Sequence, residues 1–204
     1  MASFRAALSG GAKAVEADLR RTRDGTWVVL HDPDLKRTTG LRARVARTRW
    51  DVVKPLGVPR AADLLTFCRR RRVGLFLDIK VPGGEPELAR ILRRSGWISR
   101  TAVGVGSPKS LKRWRRVLDG QASLFWVTGY RAPVTPFRVR IARRLGLEGL
   151  VVYKRWAGPA AVRRAHAAGL TLYVWTIRSG KELRKYKRLG VDGIMSELWP
   201  FPSI

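Results

Sequence analysis

From residue 73 onward the sequence repeats one unit, a short apolar run rich in strand formers followed by an amphipathic stretch with helical spacing. The runs at 73–80, 101–105, 122–128, 149–153, 170–177 and 191–195 read as strands, and 86–94, 109–118, 136–145, 159–168 and 181–189 read as helices. Strands that alternate with helices belong to a parallel sheet, and this many units predict an α/β fold of the TIM (β/α)8-barrel type. A doubly wound open sheet is the alternative, but no glycine-rich phosphate fingerprint follows the first strand. At 204 residues the chain fits a single domain, 1–204, with a full hydrophobic core.

The N-terminal third departs from this repeat and carries most of the chemistry. A helix is expected over 3–8, with Ser3 as its cap and Gly10-Gly11 as its end. Strands at 14–21 and 26–31 are joined by an Asp24-Gly25 turn. The basic stretch 41–54 reads as loop, and 59–71 as a helix with Ala61, Leu64, Leu65 and Cys68 on one face. In a strand, residues i and i+2 share a face, so Glu16 and Asp18 lie side by side. Two such carboxylates fit a solvated strand edge, or a hard cation held by oxygen ligands. Asp78 and Lys80 share a face by the same spacing, which suits either a metal and phosphate site or a buried salt bridge. His31 ends a strand beside Asp32, where an imidazole could give a proton to a leaving alkoxide, although a lone histidine there reads first as a surface or core residue.

The stretch GAKAVEADLRRTRDGTWVVLHDPDLKRTT, residues 11–39, strongly resembles the signature of the glycerophosphodiester phosphodiesterase family. The matching residues are Gly11-Ala12, Glu16, Asp18, Thr22, Asp24-Gly25, His31-Asp32, Leu35 and Arg37-Thr38-Thr39. LDIK at 77–80, VWT at 174–176 and GVDGI at 190–194 extend the likeness over most of the chain. The resemblance implies a TIM barrel that hydrolyses glycerophosphodiesters to glycerol phosphate and an alcohol. It implies a divalent metal, Ca²⁺ or Mg²⁺, on Glu16, Asp18 and Asp78, with Asp78 standing where the family has Glu. It also implies Lys80 as catalytic and substrate-binding, His31 as catalytic, and Trp175 as substrate-binding. Members begin with a strand carrying HRG and then a PENT segment, whereas this sequence starts at the helix that follows. The barrel is therefore expected to lack its first strand, leaving the Ala14 and Val191 strands as edges, and the catalytic pair to lack one of its two histidines. A non-catalytic barrel that binds phosphate or anionic lipid is the alternative.

Four tryptophans near strand ends, Trp126, Trp156, Trp175 and Trp199, are candidates for an apolar wall beside the substrate, or for core filling. Glu197 and the mid-helix His166 receive no role. Forty-two basic residues against fifteen acidic ones give a net charge of +27. Such a field attracts phosphorylated substrates and anionic membrane surfaces, and no nucleic-acid recognition module accompanies it. No apolar run approaches the ~20 residues needed to cross a bilayer, and residues 1–20 lack the layout of a signal peptide. The single Cys68 excludes an internal disulfide or a cysteine metal cluster. A cytoplasmic location is expected, with peripheral membrane association as a further possibility. The sequence leaves the oligomeric state open.

Overall fold

The protein is represented by a computed structural model that describes residues 1–197, so Trp199 lies outside the described residues. Helix α1 (Ala2–Ser9) leads into strand β1 (Ala14–Arg21) and the short β2 (Trp27–Val29). Two four-residue helices follow, α2 (Lys36–Thr39) and α3 (Trp50–Val53), and then α4 (Ala61–Arg71). The repeat is then β3 (Gly74–Ile79), α5 (Glu85–Arg94), β4 (Thr101–Val105), α6 (Pro108–Leu118), β5 (Ser123–Val127), α7 (Pro136–Arg144) and β6 (Gly149–Tyr153). It ends with α8 (Pro159–His166), β7 (Thr171–Ile177), α9 (Gly180–Arg188) and β8 (Gly193–Ser196). Helix starts are written locally. Ser107, Thr135 and Ser179 each accept a hydrogen bond from a backbone amide in the first turn of α6, α7 and α9, and proline opens α6, α7 and α8.

All eight strands form one sheet in the order β2-β1-β3-β4-β5-β6-β7-β8. β1 and β3 to β8 run parallel, each joined to the next through helical connections, as in a barrel of this type. β2 pairs antiparallel with Leu19 to Arg21 of β1. The ends of the sheet are therefore β2 and β8, and among the described residues no pairing joins them. The barrel is incomplete, as expected, and β8, the strand predicted at 191–195, is an edge as foreseen, but the other edge is β2 and not the Ala14 strand. The Asp24-Gly25 turn folds β2 back over the carboxyl-terminal half of β1, and the Leu30 amide donates to the Asp18 carbonyl at 3.0 Å. Only the amino-terminal half of β1 remains without a strand neighbour on that side.

Odd-numbered residues of β1 (Val15, Ala17, Leu19) are buried toward the helices, in a core that includes Leu64, Leu77, Leu88, Val103, Leu124, Leu150, Leu172 and Val174. The interior layer is built differently. Phe76, Phe125 and Tyr173, on alternate strands, bring ring centroids within 4.8–6.3 Å of one another. Glycines stand on β4, β6 and β8, each beside one of these strands. A Cβ on Gly104 would lie 2.6 Å from Phe76, one on Gly149 2.9 Å from Phe125, and one on Gly193 2.6 Å from Tyr173. At Gly104 and Gly193 the aromatic rings thus occupy space that a side chain would otherwise need, while at Gly149 the Thr171 carbonyl excludes a Cβ as well.

Residues 41–54 are not the plain loop expected. Val45, Val53 and Val58 close over Val28, Leu30 and Leu35 as a second, smaller core beside β2. α3 forms because Asp24 accepts hydrogen bonds from the Trp50 amide at 3.0 and 3.2 Å, while the Thr22 hydroxyl donates to Asp24 at 2.6 Å. Ser3 caps nothing, since it lies inside α1 rather than before it.

Candidate functional site

The pairing of β1 with β3 sets Asp18 directly beside Asp78 and places Glu16 one pleat below. One carboxylate oxygen from each of Glu16, Asp18 and Asp78 lies within 4.8 Å of the other two. Lys80 follows β3, and its Nζ bridges Asp18 Oδ1 at 2.9 Å and Asp78 Oδ2 at 2.6 Å. The buried-salt-bridge arrangement and the convergent acidic cluster therefore exist together. Burial, then Asp18 and Asp78, raise the Glu16 carboxyl to about 8, and Lys80 offsets part of this. Asp78 is also raised, by burial first, with Lys80 opposing. Burial alone would lower Lys80, but Asp78 and Asp18 hold it above its ordinary value. Solvent nevertheless reaches Glu16, whose side chain is exposed at the open side of β1.

His31 lies just past β2. Its Nδ1 is 2.8 Å from Asp32 Oδ1, Nε2 makes no hydrogen bond among the described residues, and the other Asp32 oxygen accepts from Arg37 Nε at 2.5 Å. Arg37, then His31, lower the Asp32 carboxyl to about 2. The residues around this pair have mechanical roles. Leu35 is fully buried in the second core, and the Thr39 hydroxyl donates to the Leu35 carbonyl at 2.8 Å, closing the turn that carries Arg37.

Arg20 was missed from sequence. Its Nε donates to the His31 carbonyl at 2.8 Å, and its charge interacts with Asp18, Asp32, Asp34 and Asp78. The signal was available, because Arg20 continues the i, i+2 series of Glu16 and Asp18. The tryptophan wall is only partly present. Trp126 is buried between sheet and helices, with its Nε1 donating to the Gly106 carbonyl at 3.3 Å. Trp175 instead packs on the interior layer and meets Tyr130 at 4.7 Å and Tyr153 at 5.5 Å, both edge-on. Trp156 joins that group through a hydrogen bond to the Tyr130 carbonyl at 2.6 Å. Trp175 Nε1 is buried without a hydrogen-bond partner among the described residues. His166 and Glu197 are used elsewhere, in pairs with Asp192 and Arg178 at 2.9 Å.

Three acids and a lysine on the parallel strands β1 and β3, with a histidine–aspartate pair just past the antiparallel β2, are the kind of site found in barrel-type hydrolases of phosphate esters. Residues 1–82 and 93–197 match the glycerophosphoryl diester phosphodiesterase family. The chain belongs to that family. It is 37% identical over 97% of its length to a glycerophosphodiester phosphodiesterase of Bacillus altitudinis, covering 87% of that protein. It is 30% identical, again over 97%, to the probable glycerophosphodiester phosphodiesterase 2 of Mycobacterium tuberculosis, covering 80% of it. Among solved structures, a putative glycerophosphoryl diester phosphodiesterase from Silicibacter pomeroyi superposes with a TM-score of 0.80 at 20% identity, over 96% of this chain and 82% of that one. A phosphodiesterase from Oleispira antarctica, in complex with the product sn-glycerol-3-phosphate, gives 0.79 at 18% identity, over 95% and 83%. The chain is thus an enzyme, a hydrolase of glycerophosphodiesters, and the non-catalytic alternative is not favoured. The family is divalent-metal dependent, and the three-carboxylate cluster is a donor set of the hard oxygen type that such ions take. No helix among the described residues is long and apolar enough to cross a membrane.

Proposed function

We propose that Glu16, Asp18 and Asp78 hold the metal, that Lys80 and Trp175 bind substrate, and that Lys80 and His31 carry the catalytic work of cleaving a water-soluble glycerophosphodiester. The observation that carries this reading is the convergence of three carboxylate oxygens within 4.8 Å beside the Lys80 ammonium. A bound divalent ion supplies positive charge for the phosphate oxygens, and Mg²⁺ or Ca²⁺ suits an all-carboxylate set. Lys80 adds a second positive charge, held in place by two carboxylates, where negative charge accumulates in the transition state. Hydrolysis adds water across one P–O bond. The water oxygen joins phosphorus, its surplus proton passes to solvent, and the alcohol departs with a proton from His31 Nε2. Asp32 orients the imidazole through Nδ1, and Arg37 keeps Asp32 ionised. The Tyr130–Tyr153–Trp175 group offers apolar surface to the alcohol portion of the substrate.

The place of action we infer is the cytoplasm, and the macromolecular partner an anionic membrane surface, on the strength of the +27 charge. The test of the catalytic reading is release of glycerol phosphate and choline from glycerophosphocholine, with Mg²⁺ or Ca²⁺ supplied. Turnover that disappears in Glu16→Ala and His31→Ala supports it. Turnover that survives Glu16→Ala in the presence of chelator refutes the metal assignment.

A further inference from the structure

The large hydrophobic side chains that the described residues leave exposed are Leu41, Val52, Tyr130 and Phe137. Their distribution is one-sided. Leu41 and Val52 lie between β2 and α4, Tyr130 follows β5, and Phe137 is in the first turn of α7. Tyr130 and Phe137 therefore belong to a connection that leaves the carboxyl end of a parallel strand, and the segment of Leu41 and Val52 is tied past the carboxyl end of β1, where the Arg23 amide donates to the Thr48 carbonyl at 2.9 Å and Asp24 accepts from the Trp50 amide at 3.0 Å. These segments form the rim of the mouth where Asp18, Asp78 and Lys80 sit. Tyr130 is 63% exposed and Phe137 65%, which is far more than core packing tolerates.

The same segments are basic. Arg42, Arg44, Arg47 and Arg49 lie between Leu41 and Val52, and Arg131 adjoins Tyr130. Aromatic and aliphatic tips flanked by arginine match the chemistry of a bilayer interface, where apolar groups enter the acyl boundary and cations meet phosphate headgroups. We propose that this rim is a docking face for an anionic phospholipid bilayer, set so that the mouth of the site opens toward the membrane. The inference deepens the membrane assignment made above, names the face, and does not depend on the catalytic roles of Glu16 or His31. A nucleic acid would use the arginines but gives no reason for Phe137 and Val52 to be bare, so charge and apolar exposure together favour lipid.

The experiment is co-sedimentation with phosphatidylcholine vesicles containing phosphatidylglycerol, with glycerophosphocholine turnover measured on the same samples. Phe137→Ser leaves net charge unchanged, and we expect it to weaken binding about tenfold. Arg131→Glu is expected to weaken binding severalfold or more. Arg144→Glu makes the same charge change at the far end of α7, and we expect it to leave binding within about twofold, since surface charges beyond a Debye length are screened. Turnover of the soluble diester should be unaffected by all three. Equal losses for Arg131→Glu and Arg144→Glu, with none for Phe137→Ser, would overturn the proposal in favour of a diffuse charge effect. Failure to bind anionic vesicles, or competition by duplex DNA that Phe137→Ser does not alter, would overturn it as well. Neither result bears on turnover, so failure of docking and failure of the catalytic assignment are read separately.

Discussion

Removal of metal should make the protein's stability fall with pH, and Glu16 should be the reason. Its carboxyl is raised from 4.5 to about 8 in the fold. Between those values the unfolded chain gives up this proton while the folded chain keeps it, so the folded state binds more protons and stability drops as pH rises. The size follows from the carboxylate spacing. At 4.8 Å, two unit charges repel by about 0.9 kcal/mol in bulk water and about 3.5 kcal/mol at an effective dielectric of 20. Solvent reaches Glu16 and Lys80 compensates part of the charge, so about 1–2 kcal/mol is the appropriate range. For a domain of this size that is a Tm shift of roughly 3–6 °C. The assay is thermal melting in chelator across pH 5 to 8.5, for the natural chain and for Glu16→Gln. The difference between the two curves isolates this residue from the general effect of net charge. Glu16→Gln should melt higher than the parent at pH 8.5 in chelator and should lose most of the stabilisation given by Mg²⁺ or Ca²⁺. A parent curve that tracks the variant at every pH, or a variant that keeps the full metal response, would falsify the assignment of Glu16 to the metal cluster.

Three further outcomes follow from single features. Asp32→Asn leaves His31 without its anionic partner and should lower kcat roughly tenfold or more with KM little changed, read in the glycerophosphocholine assay. Gly104→Ala forces a methyl group to within 2.6 Å of both Phe76 and Val127 and should cost about 1–3 kcal/mol in denaturant melts, with no loss of metal response if the fold survives. Asp24→Ala removes the acceptor for the Trp50 amide and should cost about 1 kcal/mol, with increased proteolysis at residues 41–54 as the visible sign.

Much of this architecture was legible because two periods are written openly in the chain. The strand-helix alternation after residue 73 survives in the structure with boundaries shifted by only a few residues, since caps and prolines mark the helix starts. Glu16, Asp18, Asp78 and Lys80 could be grouped because spacing by two fixes a common face. Trp126 was left open between substrate wall and core filling for the opposite reason. In the run Ser123 to Val127, four consecutive apolar residues hide which parity faces inward, and only the packing of Phe125 against its neighbours decides it. α3 was illegible because its cap, Asp24, lies 26 residues away from Trp50. Tyr130 and Tyr153 were missed because their association with Trp175 joins the connection after β5 to the strands β6 and β7, which no local pattern encodes.

The interior layer has a consequence for how such a chain can change over generations. Tyr173 lies flat over Gly193, so the volume inside the barrel is held in common by neighbouring strands and owned by none of them. A side chain cannot appear at Gly193 while the ring is there, but the ring can shrink first and leave a void, which a methyl group on the adjoining strand could then fill. The two substitutions commute in the final sequence and not along the route to it. One order passes through a clash and the other through a cavity. Drift in this layer is therefore directional. It begins on the aromatic strands, and the glycines follow.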